Sequence, residues 1–458
     1  MSVSQQHIGS VLVAGLGKSG LATCHYLFAH SELTASVTVV DSSAQPARAD
    51  ELAALSAGVS YTSMFGVEEV PQSARFDLAI VSPGLMPSSA LYRSIKRVSE
   101  RVISEIEFAF EQHPQNWIAI TGTNGKTTTT SLVTHILKEA GRNAVSVGNI
   151  GAPAIEAVGE ASGDTIFVAE VSSFQLHAID AFRPRVAAVL NITPDHINWH
   201  GSFEAYAEDK ARVFARSGAG DTILLNGDDA ASAPYIKRAQ ETEAQTWVIS
   251  LEDNELGRWT TPDRLHIKGP HNVSNALFAA YAARAFGVDD AQITHALETF
   301  EPVEHRLQYV DTVDGVLWYN DSKATNPDAV FKALSAFETQ GVILLVGGRN
   351  KGNRFVDLAR AAFSKPNFKY ALCFGEAGHD IFDDFSSVEA ELSGVENAQQ
   401  KTRRFETMDD AMNAARVLAT AGDCVALSPA CASFDEFNSF EHRGEVFMDT
   451  VRSFAQEL

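Results

Sequence analysis

The sequence predicts an α/β protein of three domains, each built on a mostly parallel sheet covered by helices. Length is the first of three observations behind this: 458 residues suggest about three domains. Second, short apolar runs alternate with helix-patterned stretches almost throughout. Third, the runs are bounded by Gly, Pro, Asn or Asp, as strands of buried parallel sheets are. VLVAG, VTVVD and FDLAIVSPG come first. WIAITG, NAVSVGN, TIFVAEVSS, RVAAVLNIT and DTILLN occupy the middle, and GVLWYND, GVILLVGG, KYALCFG and DCVALSPA come last. One boundary is expected near Ser99 to Arg101, before the helical EIEFAFEQH, and another near Pro302, after AQITHALETF. The expected domains are residues 1–100, 101–302 and 303–458, with ligands at the C-terminal ends of the strands.

Composition narrows the function. A formal net charge of −22 makes duplex nucleic acid a poor partner, because basic surfaces dominate that affinity. Anionic ligands must then be held by local devices such as helix N-termini, loop amides, Mg2+ and a few lysines or arginines. No apolar run is long enough to span a bilayer, and MSVSQQHIGS lacks the basic-then-apolar order of an export signal. Cys24, Cys373, Cys424 and Cys431 are scattered and form no C-x-x-C pair, which fits reduced thiols in a cytoplasm.

The first strand runs into VLVAGLGKSGLA, which places Gly15, Gly17 and Gly20 in the G-x-G-x-x-G spacing, and Asp41 closes VTVVD. By spacing this is a dinucleotide fingerprint, and its obvious ligand is NAD. The physics is less specific. Loop and helix dipole recognise a diphosphate, and the acid recognises a sugar or base donor. A UDP group offers both.

In the middle segment, AITGTNGKTTTT ends like a phosphate-binding loop, yet Ile120 stands where G-x-x-x-x-G-K-[ST] has its first glycine. The context is right: a strand WIAIT, a tight turn, then a helix KTTTTSLVTHILKEAG stopped at Gly141. Gly122 and Gly125 let amides approach an anion, Lys126 can reach β- and γ-phosphates, and the Thr127 hydroxyl can bind Mg2+. Glu170, at the end of TIFVAE, is either a Mg2+ ligand or a capping acid. Asp195 and His196 end the next strand, where the histidine is either structural or a ligand. Lys210, on the amphipathic FEAYAEDKARVF helix, reads on sequence physics as a solvated helix lysine.

GTNGKTTT, AEVSSFQL, NITPDHINWH, the AEDKARVF lysine, GPHNVSNALFA and EHRLQ occur in the order seen in Mur ligases, which the chain resembles over essentially its whole length. These are ATP-dependent enzymes that add amino acids to the peptidoglycan precursor. The family loop is G-T-N-G-K-[ST], with no glycine at the position of Ile120. Within the family, SPACASFDEFNSFEHRGEVF and NDSKATNPDA resemble the members that add D-glutamate to UDP-N-acetylmuramoyl-L-alanine. A D-N-P-R segment, as in the enzyme adding the diamino acid, is missing.

The resemblance implies a Rossmann-like first domain for the UDP end of the substrate, a central P-loop ATPase-type domain, and a Rossmann-like third domain. It implies ATP and two Mg2+ ions, with Gly122, Thr123, Asn124, Gly125, Lys126, Thr127 and Thr128 around the phosphates. Glu170, His196 and a carbamylated Lys210 would join Thr127 at the metals, which reverses the solvated reading of Lys210. Asn272, Asn275, Arg306 and Asp321 would contact the nucleotide. Gly15, Lys18, Ser19, Asp41, Ser42 and Asn149 would contact the UDP substrate, although some relatives carry a basic residue where Ser43 stands. Lys323, Thr325, Lys351, Ser433 and Phe440 would surround D-glutamate. Such an enzyme is expected to be a cytoplasmic monomer with no nucleic-acid or membrane partner.

Overall fold

The computed structural model describes residues 7–46, 48–55, 61–253, 255–267, 269–301, 304–334, 336–337, 340–350, 352–393 and 400–456. The chain forms two compact units, Met1–Thr261 with Ser274–Thr299, and Pro262–Val273 with Phe300–Leu458. Pro302 and Lys351 lie outside the described residues.

The first unit holds two parallel sheets. β1 (Gly9–Ala14), β2 (Thr34–Asp41), β3 (Tyr61–Phe65), β4 (Phe76–Val81) and β5 (Ser99–Ser104) lie in the order β3-β2-β1-β4-β5. β6 (Trp117–Thr121), β7 (Ala144–Gly148), β8 (Ile166–Glu170), β9 (Val186–Val189), β10 (Thr222–Asn226) and β11 (Gln245–Ile249) lie in the order β11-β10-β9-β6-β8-β7. The second unit holds β12 (Gln308–Val313), β13 (Val316–Asn320), β14 (Val342–Gly347), β15 (Phe368–Phe374), β16 (Thr402–Arg404) and β17 (Cys424–Ala430), ordered β12-β13-β17-β14-β15-β16. Only the β12–β13 pair of this third sheet is antiparallel.

The first two sheets are entered near their middle, at β1 and β6, and the third is completed near its middle by its last strand, β17, between β13 and β14. The strand order reverses there, and crevices for ligands form at the strands' C-terminal ends. The central strands are buried end to end: β6, β8, β9, β14 and β17 have no exposed residue. β3, β5, β11, β12 and β16 were not legible as strands, and all are edge strands. YTSMF, SERVIS, QTWVI, QYVDTV and TRR carry polar or charged residues because one flank meets solvent, so the apolar run that marks a central strand is broken.

Among the described residues no helix is long and apolar enough to cross a membrane. All four cysteines are free thiols in the core.

Helix Glu105–Gln112 leaves the first sheet and buries two acids. Glu107 accepts the amides of Asp180, Ala181 and Phe182 at 3.2, 2.6 and 3.0 Å. Glu105 accepts the Ile155 amide at 2.7 Å. Burial pushes the Glu105 carboxyl up to about 7, against the pull of the backbone bonds from Ile155 and Ala154. Between its ordinary 4.5 and about 7 the folded chain holds a proton that the unfolded chain has lost. Its contribution to stability is thus complete below 4.5 and is lost as pH rises through about 7. Glu105→Gln keeps an acceptor for the amide and removes the titration. At pH 8 the variant should be more stable than the parent by up to about 3 kcal/mol, an advantage that shrinks toward zero on acidification. Thermal unfolding of both proteins across this range checks it, and a difference independent of pH would contradict it.

Candidate active site

β6 delivers Thr121 into the loop Gly122–Gly125, and helix Lys126–Glu139 begins at once. Gly122 (φ 154) and Gly125 (φ 86) both sit at positive φ. A Cβ on Gly125 would lie 2.4 Å from Asn275 Oδ1, so a side chain there would collide with helix Pro270–Ala285. The loop is pinned to the chain after β9. Thr123 N donates to Asn191 O, Asn124 N donates to Asn191 Oδ1, and Asn191 Nδ2 returns a bond to Asn124 O, at 2.9, 2.9 and 3.0 Å. Thr123 Oγ1 donates to Thr193 O at 3.0 Å and lies 2.9 Å from Tyr206 OH. Ile120 is a fully buried strand residue paired with Glu170 and Ala188, which explains why no glycine is wanted there. The first turn of the helix has no acidic residue, and Thr127 and Thr128 are buried beside the loop. The helix end therefore presents positive potential to an anion.

Two lysines meet on one oxygen of this loop. Lys126 Nζ donates to Gly122 O and Thr123 O at 2.8 and 2.9 Å, and Lys210 Nζ donates to Gly122 O at 2.7 Å. Lys210 is 2 % exposed, which corrects its reading as a solvated lysine. Helix Phe203–Ala211 turns Tyr206, Ala207 and Asp209 through Ala211 inward, and the Lys210 ammonium lies 4.6 Å from the Tyr206 ring centre. Burial, and then the Lys126 charge, hold Lys210 well below the ordinary 10.5 despite the opposing charges of Asp195, Asp209 and Glu170. The same helix is braced by Asp209 Oδ2, which bonds His177 Nδ1 at 2.9 Å and His200 Nδ1 at 2.8 Å.

Glu170 ends β8 and is 1 % exposed. Its Oε1 accepts from Asn149 Nδ2 at 2.7 Å, whereas its buried Oε2 has no hydrogen-bond partner among the described residues. A buried carboxylate oxygen without a donor suits a divalent cation. His196 stands on the loop after β9 in left-handed conformation (φ 53), its ring edge-on to Phe174 at 4.7 Å. Among the described residues no three His, Cys, Asp or Glu side chains group as a metal site. The expected ligand set contains only two of these types, because it completes itself with the Thr127 hydroxyl and a modified Lys210.

In the first sheet, Gly15 (φ 89) turns the chain into helix Lys18–Ala29, and a Cβ on Gly20 would lie 2.0 Å from Gly15 O. Asp41 Oδ2 accepts the Leu16 amide at 2.7 Å and Oδ1 accepts the Ser43 amide at 2.8 Å. The acid that spacing assigns to a ribose thus also ties the glycine loop to the turn holding Ser42. Lys18 Nζ reaches Gly151 O at 2.8 Å, which links this loop to the segment after β7 that carries Asn149. Ser19 lies in the first turn of the same helix.

In the second unit, Asp321 follows β13 and is buried. Its Oδ2 accepts from Ser428 Oγ at 2.7 Å and its Oδ1 accepts the Leu307 amide at 3.2 Å. Burial raises its carboxyl to about 6, against Ser428 and the nearby Arg306 charge. Arg306 is flanked by His305 (φ 61) and Leu307 (φ 43), a strained backbone of the kind that clusters at functional sites. Lys323 Nζ lies 4.8 Å from the Phe440 ring centre, and the Thr325 amide donates to Lys323 O at 2.9 Å. Ser433 is buried in the loop after β17. β13, β17 and β14 are neighbours, so the segments bearing Lys323, Thr325 and Ser433 leave one edge of the sheet together. Asn272 lies one turn before Asn275 in helix Pro270–Ala285. Sequence reasoning missed Asn191, Tyr206 and Arg443, the last because an arginine within EHRGEVF reads as an exposed helix residue.

Residues 9–104, 120–283 and 305–431 match three families, described as Mur ligase MurD-like, N-terminal domain; Mur ligase middle domain; and Mur ligase, glutamate ligase domain. The chain is 39% identical over 466 residues to the UDP-N-acetylmuramoylalanine–D-glutamate ligase of Koribacter versatilis, covering 98% of each chain. It is also 39% identical to the enzyme of that name from Pelotomaculum thermopropionicum, covering 97% of each. Among solved structures, MurF of Acinetobacter baumannii matches with a TM-score of 0.59 at 17% identity, over 91% of this chain and 90% of that one. UDP-N-acetylmuramate–alanine ligase of Thermotoga maritima matches with a TM-score of 0.55 at 16% identity, over 97% and 99%. At such identities the likeness is one of fold.

The loop geometry generates a direct test. Lys126→Ala removes the cation over the phosphate loop but no core packing. Turnover should fall at least about a thousandfold, as when a charge-stabilising group is deleted, while the thermal midpoint stays near that of the parent. A purified variant with near-normal turnover would refute the role.

Proposed function

The chain belongs to the Mur ligase family, and we propose that it catalyses the ATP-dependent addition of D-glutamate to UDP-N-acetylmuramoyl-L-alanine in peptidoglycan precursor synthesis. Full-length similarity to ligases of that name supports the reaction. The observation that carries the chemistry is the meeting of Lys126, Lys210 and Glu170 around a phosphate-type loop at the end of β6.

Amide formation from a free carboxylate needs a better leaving group than hydroxide. The alanyl carboxylate attacks the γ-phosphate of ATP, giving an acyl phosphate and ADP. The D-glutamate amine then attacks the acyl carbon through a tetrahedral intermediate, and phosphate leaves. The amides of Gly122–Thr128 and Lys126 orient the triphosphate. Asn275, with Asn272, Arg306 and Asp321, serves the nucleotide. Thr127, Glu170, His196 and Lys210 as its carbamate would hold two Mg2+. When bound, Mg2+ neutralises charge on the transferring phosphoryl oxygens. The Lys210 ammonium first loses a proton; the neutral amine then adds to CO2 and releases a second proton, which leaves a carbamate anion where a cation stood. The buried site must also exclude water from the acyl phosphate.

We assign residues 1–100 to the UDP end of the substrate, 101–302 to ATP, and 303–458 to the amino acid and to closure on the nucleotide. Gly15, Lys18, Ser19, Asp41 and Ser42 serve the diphosphate and uridine, with Asn149 near the muramyl end. Lys323, Thr325, Lys351, Ser433 and Phe440 form the D-glutamate site. Four buried thiols and no disulfide among them suit a cytoplasmic enzyme, which we expect to act as a monomer.

Selectivity follows from the two carboxylates of D-glutamate. Each needs cationic or hydroxyl donors at a fixed separation, and an analogue lacking one leaves buried donors unpaired. D-Alanine should therefore react at least about tenfold less efficiently than D-glutamate, and Ser433→Ala should raise the KM for D-glutamate far more than that for ATP. Phosphate release with UDP-N-acetylmuramoyl-L-alanine and a panel of D- and L-amino acids measures both. Equal kcat/KM for D-alanine or L-glutamate would overturn the assignment to D-glutamate.

A further inference from the structure

Arg443, four positions into helix Phe440–Gln456, is completely buried. Its guanidinium has no carboxylate within ion-pair distance among the described residues and spends its donors on oxygens of two loops. Nε donates to Ser322 Oγ at 3.0 Å and Nη2 to Ser322 O at 2.8 Å. Nη2 also donates to Cys431 O at 3.1 Å and Nη1 to Ala432 O at 3.3 Å. Ser322 Oγ in turn donates to Phe440 O at 2.7 Å, which closes the ring back onto the helix. The loop after β14 is drawn in as well. A Cβ on Gly348 would lie 2.2 Å from Ala432 O and 3.0 Å from Arg443 Nη1, so only glycine fits there.

Burying an arginine without a carboxylate is expensive unless its hydrogen bonds are made in full. Its planar fork carries five N–H donors in fixed directions and reaches four acceptors on two separate segments, more than the three donors of a lysine can. The segments it joins immediately precede Lys323 and Ser433, and Phe440 opens its own helix. Burial lowers the guanidinium to about 10, with Asp435, Cys431, Glu436 and Asp321 opposing, so it keeps its charge at neutral pH.

We propose that Arg443 is the positioning residue of the amino-acid site, the hub that fixes Lys323, Ser433 and Phe440 in the one arrangement that receives the two carboxylates of the incoming amino acid. The proposal rests on the D-glutamate reading above. It also implies that a buried positive charge stands behind the site, adding attraction for a dianionic substrate.

The test is steady-state kinetics of the full chain with each substrate varied in turn, for Arg443→Lys, Arg443→Met and the milder Ser322→Ala. The KM for D-glutamate should rise at least about tenfold in Arg443→Met and by a smaller factor in Arg443→Lys and Ser322→Ala. The KM values for ATP and the UDP substrate should stay within about twofold, since those sites keep their contacts. Should Arg443→Met fail to fold, Ser322→Ala decides by the same split. Equal rises in all three KM values, or a lowered thermal midpoint with an unchanged KM for D-glutamate, would mean that Arg443 is merely structural. Wild-type turnover in the same assay keeps the two readings apart. If the wild type prefers another amino acid, the D-glutamate reading fails, and the variants are then judged by the split for the amino acid it accepts.

Discussion

The carbonyl of Gly122 receives two amines, and much of the first unit is arranged around that fact. Two ammonium groups sharing one buried oxygen repel strongly in a low-dielectric site. The more buried of the two, Lys210, is held well below the ordinary lysine range, by burial first and then by the Lys126 charge. For this to happen the loop must be rigid, which Asn191 and Thr123 ensure, and the helix bearing Lys210 must be held inward, which Tyr206 and the Asp209–histidine bonds ensure. Glu170, with one oxygen that has no hydrogen-bond partner among the described residues, adds the opposite charge to this cluster.

The second unit solves a related problem with the opposite choice. It keeps a buried cation charged and pays for the desolvation with four hydrogen bonds from Arg443 to chain segments that carry candidate substrate contacts. In both units candidate site residues follow the C-terminal ends of central strands, where loops from neighbouring strands can converge.

What the sequence made legible follows burial. Central strands such as WIAIT and GVILLVGG are apolar throughout because helices cover both faces, and they were readable. Edge strands such as SERVIS and TRR were not, since two residues in each are exposed and polar or charged. In the site, glycines that need positive φ and a lysine at a helix start are local signals. The burial of Lys210 is a tertiary fact, set by how its helix packs on the loop, and no local pattern distinguishes it from a surface lysine. Arg443 was missed for the same reason. Asp41 illustrates the converse: its spacing suggests a nucleotide acid, but could not reveal that both its oxygens brace the loop.

The most direct measurement is carbon-13 NMR of the purified protein equilibrated with labelled bicarbonate at slightly alkaline pH. A neutral, buried Lys210 predicts one carbamate resonance that is bound in stoichiometric amount and absent from Lys210→Arg. If no carbamate forms in the parent while Lys210 titrates as an ordinary lysine, the central electrostatic claim is wrong.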